Sequence, residues 1–163
     1  MRPIIILGAP RSGTNMLRDV ISSHNNFTTW PCDEINAIWK HGNRSYRYDD
    51  LRTEHATAEV LGYLRRQFAR RSLRDNNNVV VEKTCANCLR VPFINAAFPG
   101  ARYLFIYRNG ADVIASALSR WRGASSSQYL LKKLRFVPAS DLPGVIYSGL
   151  KRSIVRKFSK EQR

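Results

Sequence analysis

Short apolar runs alternate with amphipathic stretches along this chain. Three runs have the length and composition of strands that are buried on both faces of a parallel sheet, at residues 3–7, 79–82 and 101–107. Four stretches carry apolar residues at helical spacing, at residues 14–23, 51–71, 84–98 and 111–120. Strands that alternate with helices in this way predict an α/β fold of three layers, in which helices flank a parallel β-sheet.

The predicted helices differ in their faces. The first has an apolar side that would cover the sheet, formed by Met16, Leu17, Val20 and Ile21. The second has an apolar face formed by Val60, Leu61, Leu64 and Phe68. Its opposite face is basic, formed by Arg65, Arg66, Arg70 and Arg71, and a charged face of this kind is more often solvated than bound to a partner. The third contains Pro92, and we expect it to be continuous despite that residue.

Polar segments separate these elements. Residues 24–50 are predicted to form a long loop, and long loops in compact domains often carry function. Residues 121–140 are expected to hold a mobile loop, and a helix with basic residues between its apolar ones is expected from residue 141 onward. Because neither an internal repeat nor a linker divides the sequence, residues 1–163 are predicted to form a single domain.

The composition favours a folded domain with an anionic ligand. Of 163 residues, 44% are hydrophobic, and 27 Lys and Arg against 12 Asp and Glu give a formal net charge of +15. The three cysteines lack disulfide-framework spacing, so a reducing, cytoplasmic location is expected. The pair Cys85-x-x-Cys88 is interpreted as helix packing rather than as a redox or zinc site. No apolar run reaches the ~18 residues of a membrane span.

The loop after the first predicted strand carries the clearest chemical motif. In IIILGAPRSGTNMLRDVISS an apolar run ends at Gly8, a loop reaches Gly13, and a helix begins at Thr14. The amides of such a loop and of the first helical turn point at one place, where they cradle phosphate or sulfate. The spacing matches the nucleotide-binding P-loop up to Gly13, but Thr14 and Asn15 replace its lysine and its Mg²⁺-binding hydroxyl. Arg11 supplies a cation instead, which argues against ATP or GTP hydrolysis.

A second pair of donors follows the last predicted strand. Arg108 lies at the C-terminal end of that strand, and Ser116 lies about two turns into the next helix at ~3.6 residues per turn. Each residue alone is ordinary, as a surface ion-pair partner or a helix residue. Together with the first loop, the two donors are suited to hold a second phosphate beside the first.

The two motifs resemble those of sulfotransferases that use 3′-phosphoadenosine 5′-phosphosulfate (PAPS). GAPRSGTNML is similar to their 5′-phosphosulfate loop and YRNGADVIASALS to their 3′-phosphate motif, with VVVEKT between them. The similarity covers most of residues 3–121, and it is closer to the Golgi, tyrosyl-protein and bacterial types than to the cytosolic branch. It implies a P-loop-like fold and a metal-independent transfer of a sulfuryl group from PAPS to a hydroxyl acceptor.

The resemblance also implies roles for individual residues. The 5′ end of PAPS would lie on the first loop, at Arg11, Ser12, Gly13, Thr14 and Asn15. The 3′-phosphate would lie on Arg108 and Ser116. Arg11 and the helix N-terminus would stabilise the charge on the leaving phosphate without a metal. Lys83 matches a lysine that contacts the transferring group in related enzymes, whereas the sequence alone equally allows a surface lysine.

The acceptor hydroxyl needs a general base. In the Golgi-type branch a glutamate lies in the loop after the first helix, and Glu34 in WPCDEINAIW matches that place. The cytosolic branch uses a histidine after a Lys-Thr pair, and no histidine follows that pair here. Glu34 is therefore preferred as the base, with His24 and His41 as weaker candidates.

Several alternatives stay open at the level of the sequence. A small-molecule P-loop kinase would need Mg²⁺ and a lysine after Gly13. A non-catalytic basic protein would bind nucleic acid through residues 65–74 and through the basic helix predicted from residue 141 onward. Since family members usually continue further, the chain is expected to be a short member or an N-terminal fragment. The acceptor stays open among carbohydrate, lipid, peptide tyrosine and small-molecule hydroxyls, and no oligomeric state is predicted.

Overall fold

In the described part of the chain, four parallel strands form the central sheet: β1 (Ile4–Leu7), β2 (Phe27–Thr28), β3 (Val79–Lys83) and β4 (Arg102–Phe105). The computed structural model describes residues 1–76 and 78–122. Within those residues the strand order is β2-β3-β1-β4, and every pair of neighbours is parallel. The predicted α/β fold, a parallel sheet flanked by helices, is confirmed.

Among the residues that the structure describes, five α-helices connect and cover the strands: α1 (Thr14–Ser22), α2 (Asn36–Trp39), α3 (Ala58–Arg74), α4 (Val91–Ala97) and α5 (Gly110–Arg122). Two 3-10 turns, Thr53–His55 and Cys85–Leu89, precede α3 and α4. The side chain of Thr57 accepts a hydrogen bond from the Val60 amide, which fixes the start of α3. None of the helices within the described residues is long and apolar enough to cross a membrane.

The predicted continuous helix over residues 84–98 is wrong. The segment is divided into the 3-10 turn Cys85–Leu89 and helix α4, and Arg90 stands between them with a φ of −138°. Pro92 lies in the first turn of α4, where its missing N–H has no helical acceptor to lose. The proline therefore starts a second helix instead of being tolerated inside one.

The carboxyl ends of three strands meet at one edge of the sheet. β1 lies between β3 and β4, with Ile6 opposite Lys83 and Leu7 opposite Phe105. The chain moves from β1 toward β2 and β3 on one side and later crosses to β4 on the other. Open α/β sheets bind their ligands at the carboxyl edge where the strand order reverses. The sheet thus brings both predicted anion-binding motifs to one place.

The core contains a cluster of aromatic side chains that the sequence pattern did not indicate. Trp39 is fully buried, and its ring centroid lies 5.4 Å from that of Phe68 and 6.3 Å from that of Phe98. Trp30 packs edge-on against Phe68 at 4.7 Å. The prediction of a long loop over residues 24–50 is wrong, because that segment contains β2, α2 and both of these tryptophans. The helical spacing of its buried residues Ile35, Ile38 and Trp39 extends over little more than one turn, which is too short to predict a helix.

The packing of α1 also differs from the prediction. Met16 and Val20 are 68% and 57% exposed, and the buried side chains of the helix are those of Thr14 and Arg18. The expected apolar cover of the sheet by α1 is therefore wrong for Met16 and Val20. A guanidinium with polar partners occupies the buried face instead, and its contacts are described with the site below.

The apolar face predicted for α3 is confirmed, with Val60, Leu64 and Phe68 buried. Two arginines of the opposite face bind neighbouring elements. Arg65 donates to the carbonyl oxygens of the last residues of α4, and Arg71 donates to the Thr28 hydroxyl at the end of β2. Part of the predicted basic face therefore connects α3 to its neighbours.

The helix predicted over residues 111–120 is confirmed as α5, which extends to Arg122. The loop prediction is therefore wrong for residues 121 and 122, which belong to α5. The remainder of that loop and the helix predicted from residue 141 lie outside the described residues.

Candidate active site

A cavity of about 690 Å³ lies at the carboxyl edge of the sheet. Its walls come from the loop after β1, the start of α1, the segment before α2, the region around the end of β3, and the chain around α5. The lining residues are Pro10, Arg11, Gly13, Thr14, Asn15, Asp33, Glu34, Lys83, Cys85, Arg108 and Ser116. Most of the residues that the sequence indicated for binding and chemistry therefore face one space.

The loop after β1 is held in a turn that two left-handed residues make possible. Arg11 has a φ of 71° and Gly13 a φ of 94°, and Gly13 is the N-cap of α1. A glycine N-cap has no side chain to occupy the first-turn amides, so those amides can face a ligand. Ser12 does not line the cavity: its side chain is buried, and its hydroxyl donates to the Ala9 carbonyl at 2.5 Å.

The two predicted anion-binding motifs are in direct contact. The Arg11 Nε donates to the Ser116 Oγ at 3.1 Å, and an Arg108 Nη1 donates to the Arg11 carbonyl at 3.5 Å. Arg108 also lies 3.6 Å from a carboxylate oxygen of Asp112, one turn into α5. The loops after β1 and β4 thus form one continuous cationic surface.

The carboxylate and the lysine predicted for chemistry form an ion pair on the other side of the cavity. Lys83 Nζ lies 3.5 Å from Glu34 Oε1, and the Cys85 amide donates to the same oxygen at 3.3 Å. The Lys83 side chain is 4% exposed, so the alternative of a surface lysine is wrong. Glu34 is 27% exposed, which leaves its carboxylate within reach of a ligand in the cavity.

Comparison with known proteins adds the family to this geometry. A model described as the sulfotransferase family matches residues 3–142 of the 163-residue chain. The chain belongs to the sulfotransferase family. A comparison with curated proteins gives no match. The activity of the protein is therefore sulfuryl transfer in general terms, and the parallel sheet agrees with the P-loop-like fold that the resemblance implied.

The segment that carries Glu34 in this sulfotransferase is fastened to α1 by a buried arginine. Arg18 is 8% exposed, and its Nη1 donates to the carbonyl oxygens of Cys32 at 3.2 Å and Asp33 at 3.4 Å. The same guanidinium pairs with the Asp19 carboxylate at 2.7 Å. The sequence signal for this contact was a charged residue at a position where a helix packs on a sheet.

Cys85 is a site residue that the sequence interpretation missed. The sulfotransferase places it in the cavity wall, and Cys88 is exposed on the 3-10 turn, so the interpretation of the pair as helix packing is wrong. Burial, opposed by the Lys83 charge, raises the pKa of the Cys85 thiol to about 11. Its place directly after Lys83-Thr84, at the carboxyl end of β3, was the signal that could have revealed it.

The two histidines considered as bases lie away from the cavity lining. His41 stacks on Tyr63 with ring centroids 3.7 Å apart, and His24 follows the end of α1. Within the described part of the sulfotransferase, no group of three or more His, Cys, Asp or Glu side chains could hold a metal ion.

Proposed function

We propose that this sulfotransferase transfers a sulfuryl group from PAPS to a hydroxyl acceptor, with Glu34 as the general base. The observation that carries the proposal is that a single cavity is lined by Arg11, Glu34, Lys83, Arg108 and Ser116. A carboxylate and two arginines that line one cavity would supply the base and the phosphate-binding cations for such a transfer.

The residues present fit a nucleotide with anionic groups at both ends. Arg11 and the first-turn amides of α1 would hold the 5′ group, and Arg108 with Ser116 would hold the 3′-phosphate. The hydrogen bond between Arg11 and Ser116 supports this assignment, because it joins the two halves of the binding surface. PAPS, when bound, supplies an activated sulfuryl group and a phosphate leaving group.

The chemistry asked of the chain is proton removal and charge stabilisation. Glu34 takes the proton of the acceptor hydroxyl as the acceptor O–S bond forms and the S–O bond to the 5′-phosphate breaks. The electron pair of the broken bond leaves with 3′-phosphoadenosine 5′-phosphate. Lys83 is paired with Glu34 before the transfer; protonation of Glu34 frees the ammonium charge to stabilise the transferring group.

Nucleotide binding is tested by titration with 3′-phosphoadenosine 5′-phosphate. At a hundred times its Kd, a ligand that binds the folded state alone stabilises it by about 2.7 kcal/mol, which thermal unfolding readily detects. Replacing Arg108 or Ser116 by alanine should greatly weaken the response, because each removes a donor from the proposed phosphate site. The matched control is Arg66→Ala, since Arg66 is exposed on α3. A wild-type protein that does not respond refutes the proposal.

The role of Glu34 has a separate test. Glu34→Gln should keep the thermal response to the nucleotide and lose transfer by roughly 10²- to 10⁴-fold, the usual contribution of a general base. Transfer is measured with radiolabelled PAPS against phenols, sugars, lipid alcohols and tyrosine peptides. Unchanged turnover of Glu34→Gln would exclude Glu34 as the base while leaving the nucleotide site intact.

A further inference from the structure

A buried polar network lies directly behind the ion pair of Lys83 and Glu34. Four of its side chains are at most 1% exposed: Glu82, Thr84, Asn87 and Arg90. Glu82 occupies the position before Lys83 on β3, and its carboxylate therefore points to the opposite face of the strand. None of these four side chains lines the cavity.

One arm of the network ends on the backbone next to Glu34. The Thr84 hydroxyl donates to Glu82 Oε1 at 2.6 Å, and the same hydroxyl oxygen accepts from the Ile35 amide at 3.1 Å. A hydroxyl has one proton, so donation to Glu82 turns its lone pairs toward Ile35. The Glu82 carboxylate thereby orients the Thr84 hydroxyl oxygen, which accepts the hydrogen bond that holds Ile35, the residue after Glu34.

The second arm ends one residue further along. Asn87 donates to the other carboxylate oxygen of Glu82. The Asn87 side-chain Oδ1 accepts from Arg90 at 3.0 and 2.8 Å, and Arg90 in turn donates to the side-chain Oδ1 of Asn36 at 2.7 Å. Both arms thus start at Glu82 and finish on the two residues that follow Glu34.

From this geometry we infer that Glu82 is a positioning residue, which sets the place of the Glu34 carboxylate through Thr84 and through the Asn87–Arg90 pair. The inference rests on the proposed role of Glu34 as the base. Burial raises the pKa of Glu82, while the hydrogen bond from Thr84 and the charge of Arg90 favour its ionised form. Burying a carboxylate lowers the stability of the fold unless its oxygens have hydrogen-bond partners. A network that satisfies both oxygens of Glu82 therefore points to a specific role for this residue.

The test compares Glu82→Gln and Thr84→Val with Thr84→Ser, which keeps the hydroxyl. Thr84 and Asn87 donate to different oxygens of Glu82, and glutamine has an NH₂ group in place of one of them. Valine removes both hydrogen bonds of the hydroxyl. We expect Glu82→Gln and Thr84→Val to lose about tenfold to 10²-fold in kcat, the range that a displacement near 1 Å can cause. The Kd for 3′-phosphoadenosine 5′-phosphate should stay within about twofold, because the arginines that would hold the nucleotide are not in contact with Glu82.

A readout independent of transfer keeps the two proposals separable. Hydrogen exchange at the Ile35 amide should become faster in Glu82→Gln and Thr84→Val and stay slow in Thr84→Ser. The control Glu59→Gln removes a carboxylate from the exposed first turn of α3 and should change neither exchange nor kcat. In a Glu34→Gln background, Glu82→Gln should cause no further loss of kcat, since it acts through Glu34.

Each outcome decides between the proposals. If Glu82→Gln and Thr84→Val lower the melting temperature but keep the wild-type kcat and KM, the network is merely structural and the inference is overturned. Slow Ile35 exchange in Thr84→Val would also overturn it, even where Glu82→Gln does not fold. If Glu34→Gln retains full turnover, the proposal that Glu34 is the base fails. If Glu34→Gln is inactive but Glu82→Gln has the wild-type kcat, the proposed base stands and only the inference about Glu82 fails.

Discussion

Gly8 is the residue whose substitution tests the geometry of the first loop most directly. A Cβ at this position would lie 2.7 Å from the Cγ2 atoms of Ile106 and Thr14 and 2.8 Å from the Ile106 carbonyl oxygen. Unstrained carbon contacts are about 3.5–4.0 Å long, so Gly8→Ala requires movements near 1 Å. The Ile106 amide donates to the Leu7 carbonyl oxygen at 2.9 Å, so Ile106 is held beside the end of β1 and does not easily withdraw. The first loop must therefore move away from the end of β4.

Overpacking of this kind costs about 1–3 kcal/mol. For a domain of this size each kcal/mol shifts Tm by about 2–4 °C, so Gly8→Ala should lower Tm by roughly 2–12 °C. Because the displaced loop carries Arg11, the same variant should also lose the thermal response to 3′-phosphoadenosine 5′-phosphate. Both quantities come from one thermal-unfolding titration with and without nucleotide.

Gly110→Ala is the matched control, since a Cβ at Gly110, the first residue of α5, would meet no atom within 4 Å. We expect its Tm and its nucleotide response to equal those of the wild type or to improve slightly. A Gly8→Ala protein that melts and binds like the wild type would refute the steric reasoning. Loss of the response in both glycine variants would show that the assay does not report on the loop contact.

Two further predictions concern ionisable groups. The pKa of Asp75 is held below its ordinary value, chiefly by the Thr28 hydroxyl and also by Arg71. Asp75 therefore contributes stability above its unfolded pKa of ~3.9 and loses this contribution as the pH falls through the pKa of the folded state. Asp75→Asn should therefore melt below the wild type at pH 7, with the gap closing toward pH 3; a gap that does not change with pH would contradict this. For Cys85, a pKa of about 11 leaves roughly one thiol in a thousand ionised at pH 8, so alkylation followed by mass spectrometry should be slow there. It should become slower still with bound nucleotide, whereas alkylation of the exposed Cys88 should not respond to the nucleotide.

Features that depend on a short stretch of sequence were predictable. The strands β1 and β3 appear as apolar runs, and the spacing of Gly8 and Gly13 identifies the first loop. There is no room for a Cβ at Gly8, and Gly13 has a positive φ that favours glycine. The topology of a parallel sheet then brings the loops after β1 and β4 together. Arg108 and Ser116 were for this reason expected beside the first loop, and both line the cavity.

The segment between β2 and α3 was not predictable in the same way. Trp39 belongs to the four-residue helix α2 and Trp30 precedes it in irregular chain, and no period links either tryptophan to the phenylalanines that it contacts from α3 and α4. Their burial depends on side chains that are distant in sequence. A hydrophobicity pattern reports on local periodicity and contains no signal for such contacts.

The position of Glu34 is set by the same kind of distant contact, but with polar partners. The carbonyl oxygens before it are held by Arg18 of α1, and the amide after it is held by Thr84 beyond β3. A carboxylate used as a base must be held to within a fraction of an ångström of its partner, which a loop cannot achieve by its own backbone preferences. The segment therefore depends on buried polar groups from rigid elements on both sides. Arg18 and Glu82 stand where an amphipathic pattern alone would place apolar residues, and this departure from the pattern is what the proposed role of Glu34 as the base would require.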